Sequence, residues 1–175
     1  MTPDGRRAPV ADLALRAALR ADCAAIREIY NHYVENDTCT WALEPESLAE
    51  REAWLDAHDA DHPVFVAEAD AQVIGWASLS VYNPRGGYRR TVESSVYLAP
   101  QWRFRGAGGV LLAHLVDAAR ERGHHAIVAG ISADQPASVA LHARHGFALV
   151  GRLREAGFKH GRWLDVLYLQ LLLGG

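Results

Sequence analysis

The sequence predicts an α/β protein built on a mixed, mostly antiparallel sheet of about six to seven strands with about four helices. Three observations predict it. Alternating apolar and polar runs pair off as hairpins towards both ends of the chain, one helix crosses over between neighbouring strands in its centre, and the order of elements is β α α β β β α β α β β. At 175 residues, half of them hydrophobic and 22% charged, the chain fits one domain. Residues 1–11, with Asp4, Arg6, Arg7 and two prolines, read as a flexible tail, leaving 12–173 as the folded unit.

Residues 13–19 are short and mildly alternating, a first strand. Asp22 then stands as an N-cap before Ile26, Ile29, Tyr30, Tyr33 and Val34, whose spacing is a helix face. Polar, β-branched residues 36–41 read as a loop, after which Pro45 and Ser47 open a second helix with Leu48, Trp54 and Leu55 as its apolar residues. Residues 63–68 and 73–80 flank a tight turn at 70–72 and form a hairpin, broken by the Asn83-Pro84-Arg85-Gly86-Gly87 segment. Residues 91–98 alternate again and stop at Pro100. An arginine- and glycine-rich loop, 103–109, precedes an amphipathic helix through Leu111, Leu112, Leu115, Val116 and Ala119 that ends near Gly123. Residues 125–131 form an apolar strand and 136–145 a short helix closed by Gly146. Two strands, 148–154 and 163–172, follow around a turn at 157–161.

Charge excludes several classes of function. Eighteen Lys and Arg against 21 Asp and Glu give a formal charge of −3, so a global basic field for nucleic acid is missing. No stretch approaches the ~20 apolar residues that span a bilayer. Cys23 and Cys39 cannot make a disulfide framework, and no Cys/His spacing suits a metal, so a cytoplasmic protein with no metal, no membrane partner and no nucleic-acid partner is expected.

Chemistry concentrates at Arg103-Phe104-Arg105-Gly106-Ala107-Gly108-Gly109. Glycines let backbone N–H groups approach a phosphate, and the helix that follows contributes its positive N-terminal end. A dinucleotide fingerprint fails for want of a third glycine at the required offset, and a P-loop fails for want of Gly-Lys-Ser/Thr. A mobile turn with solvated arginines is the competing reading.

Arg103-x-x-Gly106-x-Gly108 after a strand resembles the acyl-CoA pyrophosphate loop of the Gcn5-related N-acetyltransferase (GNAT) superfamily, and the element order is similar to that fold over about residues 12–173. Three further blocks, Ile29-Tyr30-Asn31-His32-Tyr33, Thr91-Val92-Glu93-Ser94-Ser95-Val96-Tyr97 and Gly157-Phe158-Lys159-His160-Gly161-Arg162-Trp163, resemble its phosphinothricin and methionine sulfoximine acetyltransferase subgroup.

The resemblance implies acetyl-CoA as co-substrate, with its diphosphate over the amides of Phe104, Arg105, Gly106, Ala107, Gly108 and Gly109. Arg103 stands beside it, and Val96, Tyr97 and Leu98 run along the pantetheine, where a bulge in the strand is useful. Gln135, where an asparagine is common, and Ser138 complete the cofactor side. Glu93, in an otherwise uncharged run, is the expected general base, its pKa raised by partial burial and its proton drawn directly or through one or two waters. His142 is the expected thiolate acid or substrate-orienting group, whereas His124, His125 and His145 read as structural or surface residues. Trp41, Arg85, Tyr88 and Ser95 match the acceptor side, where a guanidinium grips an anionic group. The expected activity is N-acetylation of a small amino acid such as L-phosphinothricin or L-methionine sulfoximine by a homodimer. Another acceptor, such as arsinothricin or a peptide N-terminus, is the alternative within the class. A catalytically idle acyl-CoA-binding module is the alternative outside it.

Overall fold

A computed structural model of the protein describes residue 10 and residues 12–174. The strands are β1 (Ala14–Ala17), β2 (Val64–Ala69), β3 (Gln72–Val81), β4 (Thr91–Leu98), β5 (Ala126–Ser132), β6 (Ala148–Lys159) and β7 (Arg162–Leu172). The helices are α1 (Cys23–Asn36), α2 (Leu48–Asp56), α3 (Ala107–Glu121) and α4 (Pro136–Arg144). The expected tail lies outside the described residues apart from Val10, which packs against the main core and donates its N–H to Arg105 O at 3.3 Å.

The seven strands form one sheet in the order β1-β2-β3-β4-β5-β7-β6, antiparallel throughout except for β4 and β5. That parallel pair is short: Thr91, Val92 and Glu93 face Ala126, Ile127 and Val128, and beyond them the two strands part. On one face Leu111, Leu112 and Leu115 of α3 pack on Leu79, Val92 and Ile127; on the other Ile26, Ile29 and Tyr33 of α1 pack on Val66 and Trp76. Successive strand residues point to opposite faces, so Val92, Val96 and Leu98 belong with α3 while Glu93, Ser95 and Tyr97 belong with α1.

Four local expectations need correction. Asp22 does not cap α1: its own backbone is helical, and its carboxylate takes the Leu19 N–H at 2.7 Å and the Arg16 guanidinium at 2.6 and 2.8 Å. The second helix does start at Ser47, whose hydroxyl accepts from Glu50 N while the Glu50 carboxylate returns to Ser47 N, and Trp54 packs inward as expected, but the buried residue of the helix is Arg51 and Leu48 is exposed. No bulge interrupts β4, which keeps continuous register with β3 from Gly75–Leu98 to Val81–Val92. Finally, β6 runs five residues past its expected end, because an irregularity between Leu153 and Gly157 lets the strand bend and pair again. The reversal is confined to His160 and Gly161, both at positive φ.

Candidate active site

Where β4 and β5 part, a groove of about 510 Å³ opens. One wall is the end of β4, at Val96, Tyr97 and Leu98. The loop residues Arg103, Phe104, Gly106, Gly108 and Gly109 form its floor, and α4 with Gln135 forms the other wall. Of the residues expected on the cofactor side, only Arg105 and Ala107 stand outside the lining: Arg105 lies over the Trp102 ring at 4.7 Å, and Ala107 is buried as the first residue of α3.

The floor is an anion site in its geometry. Phe104 (φ +61°) and Gly106 (φ +92°) both take left-handed backbone, which turns the chain sharply into α3. Among the described residues, the amides of Phe104, Gly106, Ala107 and Gly108 have no acceptor, since the first α3 bonds are made by Gly109 and Val110 to Gly106 O. Side chains are short where α3 approaches the walls: a Cβ on Gly108 meets Leu98 Cδ1 at 3.4 Å, and one on Gly109 meets His145 Cε1 at 3.6 Å. Unpaired amides at a helix N-terminus, beside the Arg103 guanidinium, fit a diphosphate.

Glu93 lies upstream on β4, outside the groove lining, about 10 Å from Val96 at ~3.3 Å per residue. Its carboxylate is half-buried and takes no hydrogen bond or ion pair from any described residue. Burial alone pushes its pKa above the usual carboxylate value. Gly130 on the neighbouring strand lies beside it, a Cβ there standing in ordinary contact, 3.7 Å from Glu93 Oε1.

His142 does not reach the groove. Groove residues on and just after α4 recur at Ala137, Ser138, Ala140, Leu141, Arg144 and His145, one broad helix face, and His142 falls just off it. Its ring is 5% exposed, holds Ser138 O at 2.9 Å through Nδ1 and packs edge-on against Phe147; burial lowers its pKa. His145, read from the sequence as a structural or surface residue, also lines the groove, with its ring nitrogens at 2.9 Å from Leu141 O and 3.1 Å from Gly109 O.

The groove has further walls that sequence reasoning missed. Tyr33 donates its hydroxyl to Leu98 O at 2.5 Å, and burial raises that phenol's pKa to about 12. Asp37 and Cys39 follow from the segment after α1, and burial together with the nearby Asp37 pushes the Cys39 thiol up to about 12. The Gln135 amide does not project freely towards a cofactor: Nε2 donates to Asp37 Oδ1 at 2.6 Å and to Thr38 Oγ1 at 2.9 Å.

Trp41, Arg85, Tyr88 and Ser95 are all outside the groove lining. Trp41, 38% exposed, rests on the β6–β7 hairpin at Gly157. Tyr88 meets Tyr82 edge-on at 5.7 Å, Arg85 is exposed, and Ser95 pairs with Ser78 on the same face as Glu93. The subgroup-like blocks have a common task here. Tyr30 bonds Thr40 Oγ1 at 2.8 Å, Asn31 bonds the Glu46 backbone in both directions, Tyr97 donates to Cys39 O at 3.3 Å, and Lys159 donates to Thr40 O at 2.9 Å. All four hold the segment that carries Asp37, Cys39 and Trp41.

Residues 15–168 match the family model described as the acetyltransferase (GNAT) domain. The chain belongs to the GNAT acetyltransferases. It is 41% identical over 162 residues to the L-methionine sulfoximine/L-methionine sulfone acetyltransferase of Salmonella typhimurium, covering 92% of this chain and 95% of that one. To the phosphinothricin N-acetyltransferase of Streptomyces coelicolor it is 37% identical, covering 91% and 96%. The structure of yncA from Salmonella typhimurium, solved with its cofactor acetyl-CoA, superposes with a TM-score of 0.91 at 40% identity over 94% of this chain and 96% of that chain. This GNAT protein is therefore an acetyl-CoA-dependent N-acetyltransferase. Among its described residues no group of three or more His, Cys, Asp or Glu could hold a metal ion, and no helix is long and apolar enough to cross a membrane.

Proposed function

We propose that the protein acetylates the α-amine of a small amino acid, such as L-phosphinothricin or L-methionine sulfoximine, by direct attack with Glu93 as general base. The observation that carries this reading is the unpaired, half-buried Glu93 carboxylate on the same strand as the groove wall. Acetyl-CoA, when bound, supplies an acyl group activated as a thioester. The amides of the 103–109 loop hold its diphosphate, and the edge of β4 beyond Glu93, left by β5, offers backbone groups to an extended amide chain. Glu93 takes the ammonium proton directly or through one or two waters, which its distance along the strand from the groove favours.

An anionic or strongly polar side group on the acceptor is read from Arg85, which is exposed, with Tyr88 in the same turn. Trp41 and Ser95 complete that side. The names of the relatives support a small amino acid with a tetrahedral polar side group as the acceptor. We further propose a homodimer, in the cytoplasm, closed over the β6–β7 hairpin. There Leu149, Val150, Leu153, Phe158 and Trp163 are each at least half exposed on an edge strand and its neighbour.

The test is thiol release from acetyl-CoA with L-phosphinothricin, L-methionine sulfoximine, ordinary amino acids and a short peptide as acceptors. Preference for the first two supports the reading, and preference for the peptide removes it. Light scattering on the purified chain reads the dimer.

A further inference from the structure

Asp37 is the one carboxylate lining the cofactor groove among the described residues, in a groove whose other charged groups are Arg103 and Arg144. A carboxylate there repels a cofactor that brings several negative charges, so its presence needs a reason. The geometry supplies one. Asp37 Oδ1 accepts three hydrogen bonds, from Gln135 Nε2 at 2.6 Å, Thr38 N at 2.7 Å and Cys39 N at 3.2 Å, while Oδ2 faces Arg103 Nη1 at 3.7 Å. Gln135 leads into α4, on the far wall of the groove, and Arg103 leads into the loop on its floor.

The mount of this carboxylate is fixed from three directions. Its backbone N–H donates to Tyr33 O at 3.1 Å, closing α1; its carbonyl lies 3.3 Å from His160 Nε2 of the β6–β7 turn; and Thr38 beside it donates to Asp134 Oδ1 at 2.8 Å. The sheet itself does not hold the two walls together here, because the β4–β5 ladder ends at Glu93.

We infer that Asp37 is a positioning residue for the cofactor: its carboxylate ties the α4 wall to the 103–109 loop across the open seam, and so sets Gln135 and Arg103 where acetyl-CoA enters. The inference rests on the acetyl-CoA reading of the groove and adds a residue to it. It also changes the role of Gln135, which acts through Asp37 on the groove's width rather than as a free amide aimed at the cofactor.

A sign distinguishes this role from a bystander's. Removing an idle carboxylate from an anion site strengthens anion binding, whereas removing a tie weakens it. The experiment is calorimetric titration of acetyl-CoA into the unaltered protein, Asp37→Asn, Asp37→Ala, Gln135→Ala and Asp37→Ala/Gln135→Ala, with steady-state kinetics alongside. Asp37→Asn is nearly isosteric and keeps an oxygen for the three Oδ1 donors, so it isolates the Arg103 contact and is the variant to rely on should Asp37→Ala fold poorly. Expected are a dissociation constant and acetyl-CoA KM raised about tenfold in Asp37→Ala, the scale of one charge-assisted hydrogen bond. A smaller rise is expected in Asp37→Asn, with kcat and acceptor KM little changed. The double variant is expected to bind no more weakly than Asp37→Ala alone. Equal or tighter acetyl-CoA binding in Asp37→Asn, or a loss confined to kcat, overturns the inference while leaving the enzyme's function intact. Failure of the unaltered chain to bind acetyl-CoA removes both.

Discussion

The indole of Trp41 lies on the backbone of Gly157: a Cβ at residue 157 would stand 2.0 Å from Trp41 Cζ3 and 2.5 Å from Cε3. No side chain fits between them, so the ring's position depends on a glycine in a strand separated from it by most of the chain. Gly157→Ala is expected to displace the indole, changing tryptophan fluorescence and raising the acceptor KM several-fold, with acetyl-CoA binding unaffected. Unaltered kinetics with a displaced ring would remove Trp41 from the acceptor side.

Glu93 is raised above the ordinary carboxylate range by burial, with no partner to oppose it. A base must be ionised, so kcat/KM should fall as pH drops through this raised pKa, at a pH where an exposed glutamate is still charged. Glu93→Gln is expected to lower kcat about 10²-fold or more and to abolish that acidic limb, with acetyl-CoA binding retained. A pH–rate profile with the limb intact would reassign the base.

His142 predicts a stability effect rather than a catalytic one. Its pKa is lowered from 6.5 by burial, so the unfolded chain takes up a proton before the folded one as pH falls. The folded state therefore loses stability below about pH 6.5. His142→Gln should lessen that acid-side loss in urea titrations while leaving kcat within about twofold, against the 10²- to 10⁴-fold expected of a lost general acid. His58, also lowered by burial, contributes with the same sign and is the control.

Lys159 is 3% exposed, and its ammonium donates to two carbonyls, Tyr33 O and Thr40 O. Tyr33 O has the Asp37 N–H as well, so Lys159→Met chiefly orphans Thr40 O, a loss of about 1–2 kcal/mol. Thermal unfolding should fall by several degrees in a chain of this size. Burial lowers the lysine's pKa, so the unaltered protein should gain stability as pH rises towards 10.5, and the methionine variant should lack that gain. Equal slopes in the two proteins would contradict the assignment.

The sheet, its edge hairpins and the glycine loop were legible because each depends on short-range pattern: alternation in β3 and β4, a 3.6-residue repeat in α1 and α3, and glycines where the backbone turns left-handed or packs closely. Glu93 could be assigned to a face by alternation once the core residues of β4 were known. What stayed hidden depends on partners distant in sequence. Asp22 reads as a cap until Arg16 claims it, His142 and His145 differ by less than one helical turn and only packing separates their fates, and Asp37 acquires its role from Gln135, 98 residues on. The bend within β6 is likewise invisible to pattern, because the irregularity that permits it is a property of the ladder with β7.

Cys39 sits in the wall of a groove built for a thioester, yet its thiol is held protonated. A thiolate there would capture the acyl group itself, and the enzyme would pass through an acylated cysteine of its own. A protonated Cys39 disfavours self-acylation, in keeping with the direct transfer to the amine proposed above, in which both substrates are present together. Double-reciprocal plots for the two should intersect rather than run parallel, and mass spectrometry after incubation with the donor alone should find the polypeptide unmodified.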